Sequence, residues 1–315
     1  MSPLLRLHIT GVGDAFTESY HNASFCIEEP QSGLRLQIDC PPAFPRVLAD
    51  YRRRRATSSP PGQSIVGADL GIDSIDHLLL THLHGDHCGG TEAYLYMRRF
   101  LLGRKPTLLG APQVLDALWP SRLAGGMERL LLSAPTWDAD ALAQRAGRST
   151  ERRQPATEED LEPSQSEAEE RALLADPGGP VCSLGLLDYC QRTDLLAGVT
   201  QLGPLRIERR FTRHHLPTTA LRVSLAGRAR PLLGYSADTA FDPDLIDWLA
   251  EADLIIHETN YGTHTPLSSL LLLPVETRAR MRLIHYPDAL YPAACPITCL
   301  REGEVVELFS FARLR

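Results

Sequence analysis

Thr81-His82-Leu83-His84-Gly85-Asp86-His87 places four metal-capable side chains within six residues, at the spacing His-x-His-x-Asp-His. The apolar run from Ile75 to Leu80 precedes it and reads as a short buried strand that delivers the chain to a loop at its carboxyl end. Imidazole and carboxylate ligands suit zinc, iron or manganese. Alternate residues of an extended loop point the same way, so His82 and His84 can grip one ion while Asp86 and His87 point towards a second. Gly85, Gly89 and Gly90 supply the backbone freedom that a tight path needs. A polar loop with chance histidines is the plainer alternative, and so dense a ligand set speaks against it.

Outside this stretch the composition is that of an ordinary globular enzyme. Of 315 residues, 43% are hydrophobic and 23% charged, enough to bury a large core. A formal charge of -7 argues against a broad nucleic-acid or anionic-membrane footprint. The seven cysteines are scattered, odd in number and form no CxxC pair, which suggests neither a disulfide framework nor a zinc ribbon. Met1 to Thr10 does not read as a signal peptide, and no apolar run approaches membrane-spanning length, so a cytoplasmic location is expected.

Along the chain, strands and helices alternate, which implies α/β layering. Leu4–Thr10 reads as a strand entering the glycine turn Gly11-Val12-Gly13-Asp14. Ala23–Ile27 and Leu34–Ile38 form a hairpin, and Phe44, Val47, Leu48 and Tyr51 recur at helical spacing before Arg52–Arg55. That arginine run could read phosphate, but a solvated helix end is the commoner role. From about Gly125 to Gly179 the texture changes, and 125–180 reads as a helical or partly disordered insertion or arm. Within it, Met127–Leu132 and Ala141–Ala146 could be helical, while Glu151–Glu170 is acidic and poor in large apolar residues.

Hairpins then resume at Val199–Phe211 and Ala220–Tyr235. Asp242 with Pro243 starts a helix, and strands follow at Leu254–Ile256, Met281–Ile284 and Glu304–Phe309. Metal-capable residues stand just past four of these strand ends: the His82–His87 loop, His214/His215, Asp238 and His285. Singly, Asp238 or His285 would be an ordinary capping or surface residue. Together they can converge from loops at one end of the strands. His257 and Cys88 read as packed residues. His21 and Asn22 lie on a loop that could reach the cleft, and Arg213 and Arg222 are available for a phosphate.

With these motifs in place the chain resembles the metallo-β-lactamase superfamily, and most closely its branch with ribonuclease Z and cyclic-nucleotide phosphodiesterases. The resemblance rests on Gly11–Asp14, the Asp39 strand end, Thr81–His87, Tyr235-Ser236-Ala237-Asp238-Thr239, His257-Glu258-Thr259, His264-Thr265 and Leu283-Ile284-His285. It implies a four-layer αββα sandwich of two mixed β-sheets, spanning residues 1–315 as one domain outside the insertion. It also implies two divalent ions, with zinc first and manganese or iron compatible. His82, His84 and His214 would hold one ion, and Asp86, His87 and His285 the other, with Asp238 bridging. His214 is preferred to His215 because His-x-x-Pro followed by a small polar residue matches the branch. Asp39 would orient the metal loop. Asp86, Glu258 and His264 carry the implied catalysis, His264 as general acid and Glu258 as the residue that orients and charges it.

Two departures bear on substrate. Ribonuclease Z carries a basic arm roughly where Glu158–Glu170 is acidic here, and the net charge has the wrong sign for RNA. The expectation is therefore a small phosphodiester such as a cyclic nucleotide, with neither extended nucleic acid nor membrane as partner. A thioesterase or lactonase on the same fold, a ribonuclease Z-like nuclease and a non-catalytic sensor are the alternatives. A homodimer, packed through Met127–Ala146, is a further expectation from the branch.

Overall fold

Alternation decides which face of the first strand is buried inward. In β1 (Leu5–Gly11), Leu5, Leu7 and Ile9 enter the main core, while His8 points to the opposite face and meets Tyr51. The helix Phe44–Ser58 covers that face, and Phe44, Val47, Leu48 and Tyr51 form its buried stripe. The structure, a computed structural model, describes residues 2–58, 65–131 and 181–309.

After β1 come β2 (Ser24–Glu29), β3 (Leu34–Ile38), β4 (His77–Leu79) and β5 (Thr107–Gly110). Then follow β6 (Arg129–Leu131), β7 (Val181–Ser183), β8 (Gln191–Asp194), β9 (Val199–Leu202) and β10 (Leu205–Phe211). The series closes with β11 (Thr219–Leu225), β12 (Leu233–Tyr235), β13 (Leu254–Glu258), β14 (Met281–Ile284) and β15 (Val305–Leu308). One mixed sheet of seven strands runs β15-β1-β2-β3-β4-β5-β8, and a second of six runs β14-β13-β12-β11-β10-β9. They share one core, in which Phe25 of the first sheet meets Tyr235 of the second edge-on at 5.0 Å. Helix Pro243–Leu249 lies on the outer face of the second sheet, so close that a Cβ at Gly234 would stand 3.0 Å from the Leu249 carbonyl oxygen. Its cap forms as the sequence predicts: the Asp242 carboxylate accepts from the N–H groups of Asp244 and Leu245. This is the expected sandwich of two mixed sheets between helices.

The chain divides into two compact units, residues 1–123 with 186–315, and residues 124–185. In the smaller unit the expected helix at Met127–Leu132 is replaced by a helical turn, Ala124–Met127, and by β6, antiparallel to β7. Its pairing partner lies some fifty positions along the chain, so local spacing could not show it. Ala141–Ala146 and Glu151–Glu170 lie outside the described residues. β8, Gln-Arg-Thr-Asp, has no apolar alternation to mark it in the sequence; it is an edge strand parallel to β5. Among the described residues, no helix is long and apolar enough to cross a membrane.

Candidate metal centre

The parallel parts of both sheets end at one edge, and there the chain turns sharply. Asp39 after β3, Ala237 after β12 and His285 after β14 all adopt left-handed backbone, with φ of 60°, 49° and 53°. Such conformations cost non-glycine residues on the order of 1–3 kcal/mol and persist where the surroundings over-determine them. All three lie at or beside a candidate site residue. The two sheets are tied across this edge by the Thr219 N–H donating to the Thr81 carbonyl at 3.1 Å.

The metal loop is extended only as far as His84. Gly85–Cys88 is a single helical turn, closed by N–H groups of His87 and Cys88 on the His84 carbonyl at 3.1 and 2.9 Å. Alternation therefore accounts for His82 and His84, whereas Asp86 and His87, neighbours on a helical turn, bring their side chains together at 3.3 Å by another path. Glycine at 90 answers a need for space: a Cβ there would stand 2.2 Å from the Pro41 carbonyl oxygen.

Seven side chains converge. His82 Nε2 and His214 Nε2 lie 3.0 and 3.3 Å from His84 Nδ1, and His82 Nε2 lies 3.5 Å from Asp238 Oδ2. Beside them, His87 Nε2 and His285 Nε2 each stand 3.3 Å from Asp86 Oδ2. Asp238 faces both groups, its Oδ1 being 3.4 Å from His87 Nε2. His215 lies outside, with its Nε2 2.9 Å from His84 Nε2. The donor set fits divalent cations on its chemistry. His87 Nε2 and Asp238 Oδ1 are buried without a hydrogen-bond partner of good geometry, as atoms are whose lone pairs serve a cation.

Electrostatics separates the two groups. Burial lowers His82 and His84, and pushes His214 down to about 4, so these three are neutral near pH 7. Burial also opposes charge on His87 and His285. There the carboxylates win: Asp238, Asp86 and Asp39 raise His87, and Asp238 with Asp86 and Glu258 pushes His285 up to about 10.

The supporting shell is built from short hydrogen bonds. Asp39 is fully buried and accepts from the Thr81 N–H at 2.8 Å, from the Thr81 hydroxyl, and from His87 Nδ1 at 2.8 Å. The bond to Nδ1 keeps the Nε2 lone pair of His87 turned to the cluster. Glu258 Oε1 accepts from the Thr239 N–H at 2.7 Å and lies 3.0 Å from His264 Nδ1. The His264 ring stands 5.2 Å from that of His285 and 5.6 Å from that of His214. Burial opposes protonation of His264, but the hydrogen bond and charge of Glu258 outweigh it, and its pKa is raised.

Other candidates fall outside. His21 is paired to Asp50 at 3.0 Å and Asn22 bonds the Asp14 carbonyl. Arg222 stacks on Trp248 between Glu208 and Glu251, and Arg213 pairs with Asp242 at 3.2 Å. The helix-end arginines are spent on structure: Arg52 on the Leu70 carbonyl, Arg53 on Asp50, Arg54 on Glu302, and Arg55 on the Val66 carbonyl. His257 and Cys88 are buried. Sequence reasoning missed Thr81, which holds both Asp39 and His82 Nδ1, and Ser236, whose hydroxyl accepts from the Glu258 N–H. Their place directly beside predicted site residues was the available signal.

The sequence model of the family described as Anti-Pycsar protein Apyc1 matches residues 5–138 and 182–302. An Anti-Pycsar protein Apyc1 of Saccharibacillus brassicae is 28% identical over 292 residues, covering 90% of each chain. Another, of Bacillus phage BSP38, is 27% identical over 294 residues, covering 90% of this chain and 89% of that one. Among solved structures, the metallo-beta-lactamase fold protein YhfI from Bacillus subtilis superposes with a TM-score of 0.59 at 14% identity, covering 96% of this chain and 99% of that one.

Proposed function

The chain belongs to the family described as Anti-Pycsar protein Apyc1, and on that premise we propose that it is a binuclear metal-dependent phosphodiesterase acting on a small phosphodiester such as a cyclic nucleotide. The observation that carries the reading is the Glu258–His264 pair set beside both ligand groups. Thioester and lactone hydrolysis make less use of such a pair; a phosphodiester with an alkoxide leaving group requires a proton donor there.

In this reading His82, His84 and His214 hold one ion, Asp86, His87 and His285 the other, and Asp238 lies between them. Two divalent ions bound there, zinc first with manganese and iron compatible, supply water activation and neutralise phosphate charge. Asp39 and Thr81 keep His87 in the ligating tautomer. Glu258 holds His264 Nδ1–H, which leaves Nε2 as the edge that gives its proton to the departing oxygen. Glu258 is itself fixed by the Thr239 N–H, so the donor keeps its orientation through the reaction.

A hydrolysis panel on metal-loaded protein tests this reading, with bis(p-nitrophenyl) phosphate, cyclic nucleotides, a precursor transfer RNA, a lactone and an acyl thioester. Cyclic-nucleotide hydrolysis is the expected leading activity. Turnover of the lactone or thioester with inert phosphodiesters would overturn the assignment.

A further inference from the structure

An apolar cleft of about 610 Å³ opens between the loop after β13 and the loop after β14. Its walls include Pro266, Leu267, Leu290 and Cys295, and its two lips carry Tyr261 and Tyr291. Those tyrosines are 68% and 72% exposed, so both rings are accessible to a bound molecule. We propose that this cleft binds the nucleoside end of the substrate, with the base stacked against Tyr261 and Tyr291. The proposal rests on the cyclic-nucleotide reading above and adds where the substrate's non-phosphate part lies.

Three observations carry it. The cleft adjoins the candidate acid, because Tyr261 and His264 are the ends of one tight turn, with the His264 N–H on the Tyr261 carbonyl at 3.4 Å. The facing wall begins at Pro287, two residues after His285. A substrate whose phosphate lies at the metal ligands thus has its leaving oxygen at His264 and its sugar and base directed along this turn. Second, the turn is held in place: the Asn260 side chain donates to Asp14 Oδ2 at 2.9 Å and accepts from the Tyr261 N–H at 2.8 Å. A ring presented from a fixed backbone loses little freedom on stacking.

The third observation is size. Pockets for small ligands run to about 300–1,000 Å³, a range that includes this cleft. Clefts of about 650 and 370 Å³ also fall within it but are not lined by the loop after β13 that carries His264, and a recess between Leu83, Val114 and Leu216 measures only about 190 Å³. Stacking is the interaction suited to a cleft bordered by two tyrosines, since a base presents a π-face to an aromatic ring whatever its edge carries.

Cys295 gives a readout that needs neither metal nor turnover. It is partly buried in the cleft wall, and Cys182, also partly buried, serves as an internal control. The full-length protein is treated with N-ethylmaleimide in the presence of adenosine, cytidine or ribose, and modification is followed by mass spectrometry. The nucleosides are expected to slow alkylation of Cys295 and not of Cys182, and ribose to slow neither. In the metal-loaded enzyme, Tyr261→Ala and Tyr291→Ala should raise KM for a cyclic nucleotide about 5- to 150-fold, the worth of one stacked base, while Tyr261→Phe stays near wild type. No protection by either nucleoside, equal protection by ribose, or unchanged KM in both alanine variants overturns the cleft assignment. The two readings fail separately. Phosphodiesterase activity without protection or a KM effect refutes the cleft and keeps the function, whereas nucleoside protection in a protein inert to phosphodiesters keeps the cleft and refutes the function.

Discussion

Asp39→Asn tests whether the buried carboxylate acts by setting the tautomer of His87. The substitution keeps size and suits the left-handed backbone at this position, where φ is 60°, because asparagine tolerates that region better than most residues. Its side-chain oxygen can still accept from the Thr81 N–H and hydroxyl, so the fold should lose no more than about 1–2 kcal/mol. What changes is the atom facing His87 Nδ1, now 2.8 Å from a carboxylate oxygen. An amide NH₂ there donates rather than accepts, and the ring answers by moving its proton to Nε2, the atom that faces Asp86 and Asp238. A protonated Nε2 cannot ligate. Loss of such an outer hydrogen bond weakens metal binding about 10- to 100-fold. That is about 1.4–2.8 kcal/mol, all of it in the Asp86–His87–His285 group. Competition titration with a chromophoric chelator, resolving two binding steps, reads the effect directly. Affinity should fall in one step and hold in the other. Unchanged affinity in both, with a thermal midpoint like the wild type, would refute the tautomer argument.

Further outcomes follow from the same geometry. His264→Ala should cut cyclic-nucleotide turnover by about 10²–10⁴ and affect bis(p-nitrophenyl) phosphate far less, because nitrophenolate leaves without a proton. The donor must be protonated, so activity should be lost as pH rises through the raised His264 pKa. Glu258→Gln removes the group that raises it, and the alkaline limb of a kcat–pH profile should move to lower pH. Metal binding at neutral pH should release protons from His87 and His285, the latter held up to about 10, and none from His214, held down to about 4. Calorimetry in two buffers of different ionisation enthalpy measures the number. Before metal is added, the His285 contribution to stability is fully present below its ordinary pKa of 6.5 and is lost as pH rises through about 10. Phe25→Ala should destabilise the fold by about 3–5 kcal/mol, because it empties the edge-on contact with Tyr235 between the sheets; denaturant unfolding checks this.

Much of the candidate site is legible in the sequence. The ligand types in Thr81–His87 and their repetition at strand ends are local patterns: a strand presents its carboxyl-terminal loop wherever it packs, so residue type and position suffice to nominate them. The hairpins and the Asp242 cap were legible for the same reason. Other features were not. β8 carries no alternation because an edge strand needs none, and β6 is defined by a partner distant in sequence. The helical turn at Gly85–Cys88 replaced an extended path because the His84 carbonyl can close it, a choice that residue pattern leaves open.

The choice between His214 and His215 shows where the division lies. Adjacent histidines on one loop have the same chemistry, and sequence alone preferred one only through resemblance to a family. The folded chain distinguishes them by direction: His214 Nε2 comes to 3.3 Å of His84 Nδ1, and His215 stops on the far nitrogen of the same ring. His285 is alike in this. Its place after a strand was readable, but its approach to Asp86 depends on a left-handed turn that no local preference favours and that the packed sheet edges impose. Sequence by itself determined which side chains are offered and at which strand ends, because those follow from periodicity and residue chemistry. Only the tertiary structure decided which of them meet, because convergence depends on how two sheets with one shared core align their carboxyl ends.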